Sequence, residues 1–303
     1  MLKQSDGSEP PFASVAQPRV MTQAKGAAPT AETIVIQRSG FRVWIDLAEL
    51  WSYRYLLAIL TVRDIKVRYK QTVLGLAWAV LQPLTTTIVL TLVFGRFAGL
   101  GANVPDVPYA VHVLAGLLLW TFFAGTVTTA SQSLVVNAPL ITKVYFPRFI
   151  VPLSSLGVVG VDLAVSAALL SGLMVYYGMP FHGTALLAPF LLLFVASAAL
   201  GLASLLSALI AIYRDFRHVV PVALQLGFFL TPIVYPSSLL PAEWRPLLHL
   251  NPLTGMVEAL RAVLFGRPID WAAVAMAALI CLVIFVFGVS AFRVLERRMA
   301  DTI

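Results

Sequence analysis

Apolar residues in this chain gather into six long runs, at about 73–94, 109–130, 150–177, 185–212, 219–235 and 271–292, parted by segments where charges and prolines collect. Each run approaches or exceeds the roughly 20 residues a helix needs to cross the hydrocarbon core of a bilayer. Asp162 is the single formal charge inside them. The pattern predicts an all-α membrane protein with six transmembrane helices.

Two intervening stretches have a pattern of their own. Over 41–70, Leu47, Trp51, Tyr55, Ile59 and Val62 recur every three or four residues while Asp46, Glu49 and Arg54 interrupt them. One apolar face with a mixed remainder predicts an amphipathic helix lying in the membrane interface. Between 236 and 270 the chain is too long for a tight turn and too apolar for a solvated loop. Two short re-entrant helices are expected there, split by Asn251-Pro252, with the asparagine as cap and the proline in the first turn. Such backbone is tolerated at membrane depth only where protein or a water-filled cavity covers it, so this region is expected to lid an outward exit. Asn251, Glu258 and Arg261 are its gate candidates, the last two spaced to pair on one helix face.

Basic residues assign the sides. Ten of the 21 Lys and Arg precede the first run, and the second, fourth and last connections carry most of the rest. Both termini are therefore expected in the cytoplasm, with the chain in the cytoplasmic (inner) membrane. The net charge of +7 then reflects topology and contact with anionic membrane lipids, not a nucleic-acid partner, which would want a basic face on a soluble domain. Residues 1–40, rich in Ser, Pro, Ala, Gly and Gln without a signal-peptide core, are expected to be a disordered cytoplasmic extension. The interfacial helix (41–70), a membrane domain (71–295) and a cytoplasmic tail (296–303) follow. With 59% hydrophobic and 12% charged residues, no separate soluble domain fits. Cys281 stands alone, and His112, His182, His218 and His249 lack ligand spacing, so neither a disulfide nor a metal site is expected.

Some polar residues allow two readings. Arg63, Lys66, Arg68 and Lys70 either anchor the chain to phospholipid or draw an anionic lipid-linked substrate towards the bundle. Asp162 either makes a structural polar contact or lines a conduit. Aromatics such as Trp120, Tyr177 and Tyr235 either form interfacial belts or stack on sugars.

The run Leu60-Thr-Val-Arg-Asp-Ile-Lys-Val-Arg-Tyr69-Lys-Gln-Thr-Val-Leu-Gly75, with Trp78, Gln82-Pro83, Val93-Phe-Gly95, Lys143-Val-Tyr-Phe-Pro-Arg148, Tyr213-Arg-Asp-Phe-Arg217, Thr231-Pro-Ile-Val-Tyr-Pro236 and Asn251-Pro-Leu253, resembles the ABC-2 permeases that export O antigen, capsule or teichoic acid. The similarity spans roughly 45–295. It implies a complex of two permease chains and two ATPase subunits moving a lipid-linked polysaccharide, with ATP and Mg bound by the partner. This chain has no G-x-x-x-x-G-K-[ST] phosphate loop, so it is not itself the ATPase and no cofactor is expected in it. Few ionisable residues within the spans also argue against a gradient-driven porter. By the resemblance, Leu140, Lys143, Val144, Tyr145, Phe146 and Arg148 form the coupling helix that meets the ATPase, with Arg214, Asp215 and Arg217 a second contact. An ordinary interfacial turn is the other reading of those residues. An ABC-2 permease for a small hydrophobic drug or lipid is the alternative function. A membrane enzyme would need a polar catalytic cluster, which the sequence does not offer.

Overall fold

A computed structural model describes residues 47–70, 75, 77–104, 107–239, 241, 243–244, 248 and 250–299. The extension over 1–40, the beginning of the 41–70 helix, His249 and the tail beyond 299 lie outside those residues.

Every regular element described is helical. α1 (Leu47–Ser52) and α2 (Arg54–Lys70) precede α3 (Ala77–Leu90), which continues as a π-helix over Thr91–Phe97. Then come α4 (Tyr109–Val136), the single turn α5 (Ala138–Ile141), α6 (Ile150–Tyr176), α7 (Ala188–Ile212), α8 (Phe216–Leu230), α9 (Pro252–Phe265) and α10 (Trp271–Met299). Five segments are long and apolar enough to cross a membrane: Ala77–Phe97, α4, α6, Gly183–Ile212 and Trp271–Glu296.

The fifth predicted run departs from expectation. Its helix, α8, has 15 residues and stops at Leu230, where Thr231 turns extended at φ −97° and ψ 133°. Pro232 is the cause, because a proline drives the residue before it out of the helical region. Fifteen helical residues reach about 22 Å, short of the roughly 30 Å core. The rest of the run, 231–235, is non-helical, so five full-length candidates and one short helix stand where six uniform spans were expected.

α4 is the hub. It packs against α6 and α7, and 72% of its apolar window is buried against 11% for Ala77–Phe97, which puts α3 on the outside of the bundle. α7 and α10 meet most closely at Gly201 and Gly288, where an added Cβ would overlap the facing backbone. Small residues let helices approach this closely inside a membrane. Gly288→Val is therefore expected to abolish the monodisperse peak of detergent-solubilised protein in size-exclusion chromatography; a wild-type profile would disprove this close packing.

The segment expected as an interfacial amphipathic helix is helical over its described residues, as α1 and α2. Its predicted stripe is exposed, with Trp51 at 71% and Tyr55 at 70%. A second apolar face, with Leu56, Leu57 and Leu60, packs beside Phe149, Ile150 and Phe292. Thr61 Oγ1 donates to Ser154 O (3.4 Å), and Tyr69, two turns on, reaches Asp162. α2 thus follows the axis of α6. α2 therefore carries two apolar faces, the exposed stripe and the leucines at i, i+1 and i+4 that face the bundle.

Candidate functional site

Leaving the helix after Leu230 exposes backbone carbonyls that have no helical donor. The structure answers them with side chains from α9 and α4. Arg261, 5% exposed, donates from Nη1 to Pro232 O (2.8 Å) and from Nη2 to Ile233 O (2.7 Å). Its Nη2 and Nε also reach His112 O, at 3.1 and 3.3 Å. Gly116 makes room for this fork, since a Cβ there would crowd Arg261 Nη2 and Ile233. Tyr109 OH donates to Val234 O at 2.6 Å. The guanidinium suits the task because its donors are fixed in one plane and its charge strengthens each bond.

Asn251 ties the same segment from another direction. Its Oδ1 accepts from Leu253 N (3.1 Å), capping α9, while its Nδ2 donates to Thr231 Oγ1 (3.0 Å). Pro252 occupies the first helical position, as expected from the sequence. Glu258 makes no ion pair with Arg261 within 4.0 Å; the guanidinium goes to carbonyl oxygens instead. The pairing expected from their spacing is corrected by those acceptors, which sequence alone hides. Thr231 and Tyr109 escaped sequence reasoning, although two prolines at 232 and 236 signal a backbone that needs outside donors.

At the α2–α6 contact, Asp162 is satisfied. Arg68 Nη2 lies 2.6 Å from its Oδ2, and Tyr69 OH donates to its Oδ1. Burial, helped by that carboxylate, pushes the Tyr69 phenol up to about 12, so it remains a donor at neutral pH. Arg63 reaches Asn137 Oδ1 (2.6 Å) and Asp64 (2.7 Å). The basic cluster therefore divides: Arg63 and Arg68 bind the bundle, whereas Lys66 and Lys70 are exposed and have no ion pair among the described residues. Both members of the Arg68–Asp162 pair are partly solvated, at 42% and 25%, which limits its worth to about 1 kcal/mol. A double-mutant cycle with Arg68→Gln and Asp162→Asn should return a coupling of that order in thermal unfolding; a value near zero would reduce the contact to coincidence.

The α5 segment presents its residues unequally. Val144 is 52% and Tyr145 87% exposed, and Lys143 is exposed beside them. Leu140 is half-buried and Phe146 is buried with Leu60, Leu134 and Phe149. Arg148 turns inward, its Nη1 donating to Glu296 O at 3.1 Å. Tyr213, Arg214 and Asp215 between α7 and α8, and Arg217 in the first turn of α8, are exposed. Of the residues expected to meet a partner, Phe146 and Arg148 are thus bundle residues, and Lys143, Val144 and Tyr145 form the projecting tip.

Residues 55–265 match the ABC-2 type transporter family. This chain belongs to that family. The matched region takes in every residue of the contacts described in this section except Glu296. Among curated relatives of this ABC-2 transporter, an O-antigen export system permease protein RfbA of Klebsiella pneumoniae is 28% identical over 81% of this chain and 94% of its own length. Its counterpart in Myxococcus xanthus is 31% identical over 72% of this chain and 83% of that protein. The polysialic acid transport protein KpsM of Escherichia coli is 25% identical over 86% and 98%.

Proposed function

We propose that this ABC-2 transporter chain is the permease of an ATP-driven exporter that moves a lipid-linked polysaccharide, O antigen being the leading cargo, across the inner membrane. The observation that carries this reading is the near full-length similarity to O-antigen export and polysialic acid transport proteins. Two copies of the chain pair with two copies of a separate ATPase, where ATP and Mg bind. The tip formed by Lys143, Val144 and Tyr145 enters a groove on that ATPase, with Arg214, Asp215 and Arg217 as a second contact. Because α5 joins α4 directly and leads into α6, a push on the tip becomes a rigid-body movement of both helices.

Lys66 and Lys70 supply the free positive charge that attracts the anionic head of the cargo, and the Asp162 contact holds α2 beside α6 at that approach. The Arg261-held segment is the outward gate of the re-entrant region. Deletion of the gene should strip the polysaccharide from the cell surface and leave it inside, and complex purified through this chain should carry an ATPase and a lipid-linked glycan identifiable by mass spectrometry. Intact surface glycan, or a small lipid as the sole co-purifying molecule, would reject the reading. Within it, Lys66→Gln with Lys70→Gln should lower export several-fold at unchanged protein abundance; parallel losses of both would leave these lysines as membrane anchors.

A further inference from the structure

The non-helical segment after α8 is anchored from two directions. Arg261 and Asn251, on α9 and at its cap, hold the carbonyls of Pro232 and Ile233 and the hydroxyl of Thr231. Val234, the next residue along, is held from α4, where Tyr109 OH donates to its carbonyl at 2.6 Å. Tyr109 and Val234 are both buried.

The end of α3 seats the Tyr109 ring. There the helix widens into the π-helix Thr91–Phe97, and Ala98 N reaches back five residues to Val93 O (2.9 Å), where an α-helix would reach back four. Gly95 lies in that wide turn, and an added Cβ would overlap the Tyr109 ring. The ring thus occupies the room that glycine leaves. One edge of Tyr109 meets α3 while its hydroxyl holds the segment over 231–235.

Two features mark the π-helix as one of two available states. Thr86 and Thr87 of α3 donate to carbonyls four residues back, Gln82 O (2.9 Å) and Pro83 O (2.7 Å), whereas Thr91 Oγ1 is buried without a partner. A continuous α-helix would offer Thr91 the bond to Thr87 O that its neighbours make in their own turns. The span that holds it, Ala77–Phe97, is also the least buried of the five, at 11%, so little packing opposes its rotation. Narrowing the π-helix moves the residues on one side of it by one position, about 100° of rotation and about 1.5 Å of rise. Phe94 or Arg96 then arrives where Gly95 faces the ring, and neither leaves room for it.

We propose that Tyr109 is the positioning residue of the outward gate, set by the π-helix of α3. With the wide turn in place the ring is seated and Val234 is held; with the turn narrowed the ring is displaced, its bond to Val234 O breaks and the segment over 231–235 opens. The proposal rests on the export reading above and adds to it a trigger on the first span.

Val234→Cys reports opening, because only the side chain changes and the acceptor carbonyl remains. In cells making the whole exporter, a small maleimide that cannot cross the membrane labels this cysteine from the outer face, and buried Cys281 gives the background in the unsubstituted chain. Labelling should be faster in energised cells than in ATP-depleted ones. Adding Tyr109→Phe should raise labelling in depleted cells about fivefold, the shift that loss of one hydrogen bond gives an opening equilibrium, and should erase the dependence on ATP. Gly95→Ala, which keeps the hydroxyl but displaces the ring, should do the same. Deleting Val93 removes the extra residue of the wide turn and should give the fastest labelling; where that variant yields no folded protein, Gly95→Ala decides. Parental labelling in Tyr109→Phe or in Gly95→Ala, or a parent that does not respond to ATP, would overturn the proposal. A lower unfolding midpoint with parental labelling would do so too, since the bond would then be purely structural. Gene deletion separates the two readings. Surface glycan that persists rejects export itself, whereas glycan lost on deletion together with parental labelling of Tyr109→Phe rejects this linkage alone.

Discussion

Arg261→Met is expected to unfold the protein or bring it to the edge of unfolding. Methionine preserves the length of the side chain and its apolar stem, so the change isolates the guanidinium. Without it, Pro232 O and Ile233 O lose their donors and His112 O loses its outside one. Each buried carbonyl stranded in this way costs about 1–3 kcal/mol. Two or three together approach the 5–15 kcal/mol or so that holds a whole domain folded. Arg261→Lys should fall between, since an ammonium keeps the charge but cannot reproduce a planar fork aimed at separate acceptors. Unfolding midpoints in detergent, followed by size-exclusion chromatography during a thermal ramp, should rank wild type above lysine and lysine above methionine. A methionine variant as stable as wild type would mean that the non-helical segment finds its hydrogen bonds elsewhere, and the gate assignment would lose its mechanical basis.

On the assembly proposed above, Tyr145→Ala should separate the permease from the partner ATPase while leaving the permease folded. The ring is 87% exposed at the α5 tip, so its removal takes nothing from the bundle. Buried in a partner's groove, a tyrosine anchor contributes about 2 kcal/mol or more, roughly a 30-fold loss of affinity when truncated. Arg148→Glu provides the contrast. It would set a second carboxylate near Glu296, now 4.0 Å from Arg148 Nε, and remove the bond to the Glu296 carbonyl. Loss of assembly in that variant should come with loss of folded protein. Co-purification of the ATPase, measured beside the yield of monodisperse permease, distinguishes these outcomes. Tyr145→Ala with full assembly and full export would remove α5 from the interface.

Much of this was legible from periodicity because the membrane imposes a simple rule: a span must be long, apolar and helical. Five of the six runs obey it, and their limits near Tyr109, Ile150, Ile212 and Trp271 coincide with helix ends. The cap at Asn251 was legible for a local reason, since a cap involves only its neighbours in sequence. The contact between Arg68 and Asp162 joins residues far apart in the chain, and nothing in the spacing of either announces the other. Arg261 shows the same limit more sharply. Spacing offered Glu258 as its partner, one turn away, but carbonyls released by Pro232 outcompete it because they are buried and otherwise unmet.

The order of residues alone thus determined that this protein lives in a membrane and that its bulk is helical, because hydropathy is a property of composition and local pattern. Only the tertiary structure decided which face of α2 is buried, which residues of the α5 segment project, and which guanidinium holds the non-helical segment after α8. Those choices follow from competition among distant groups for burial and for hydrogen bonds, and such competition is settled only when the helices pack.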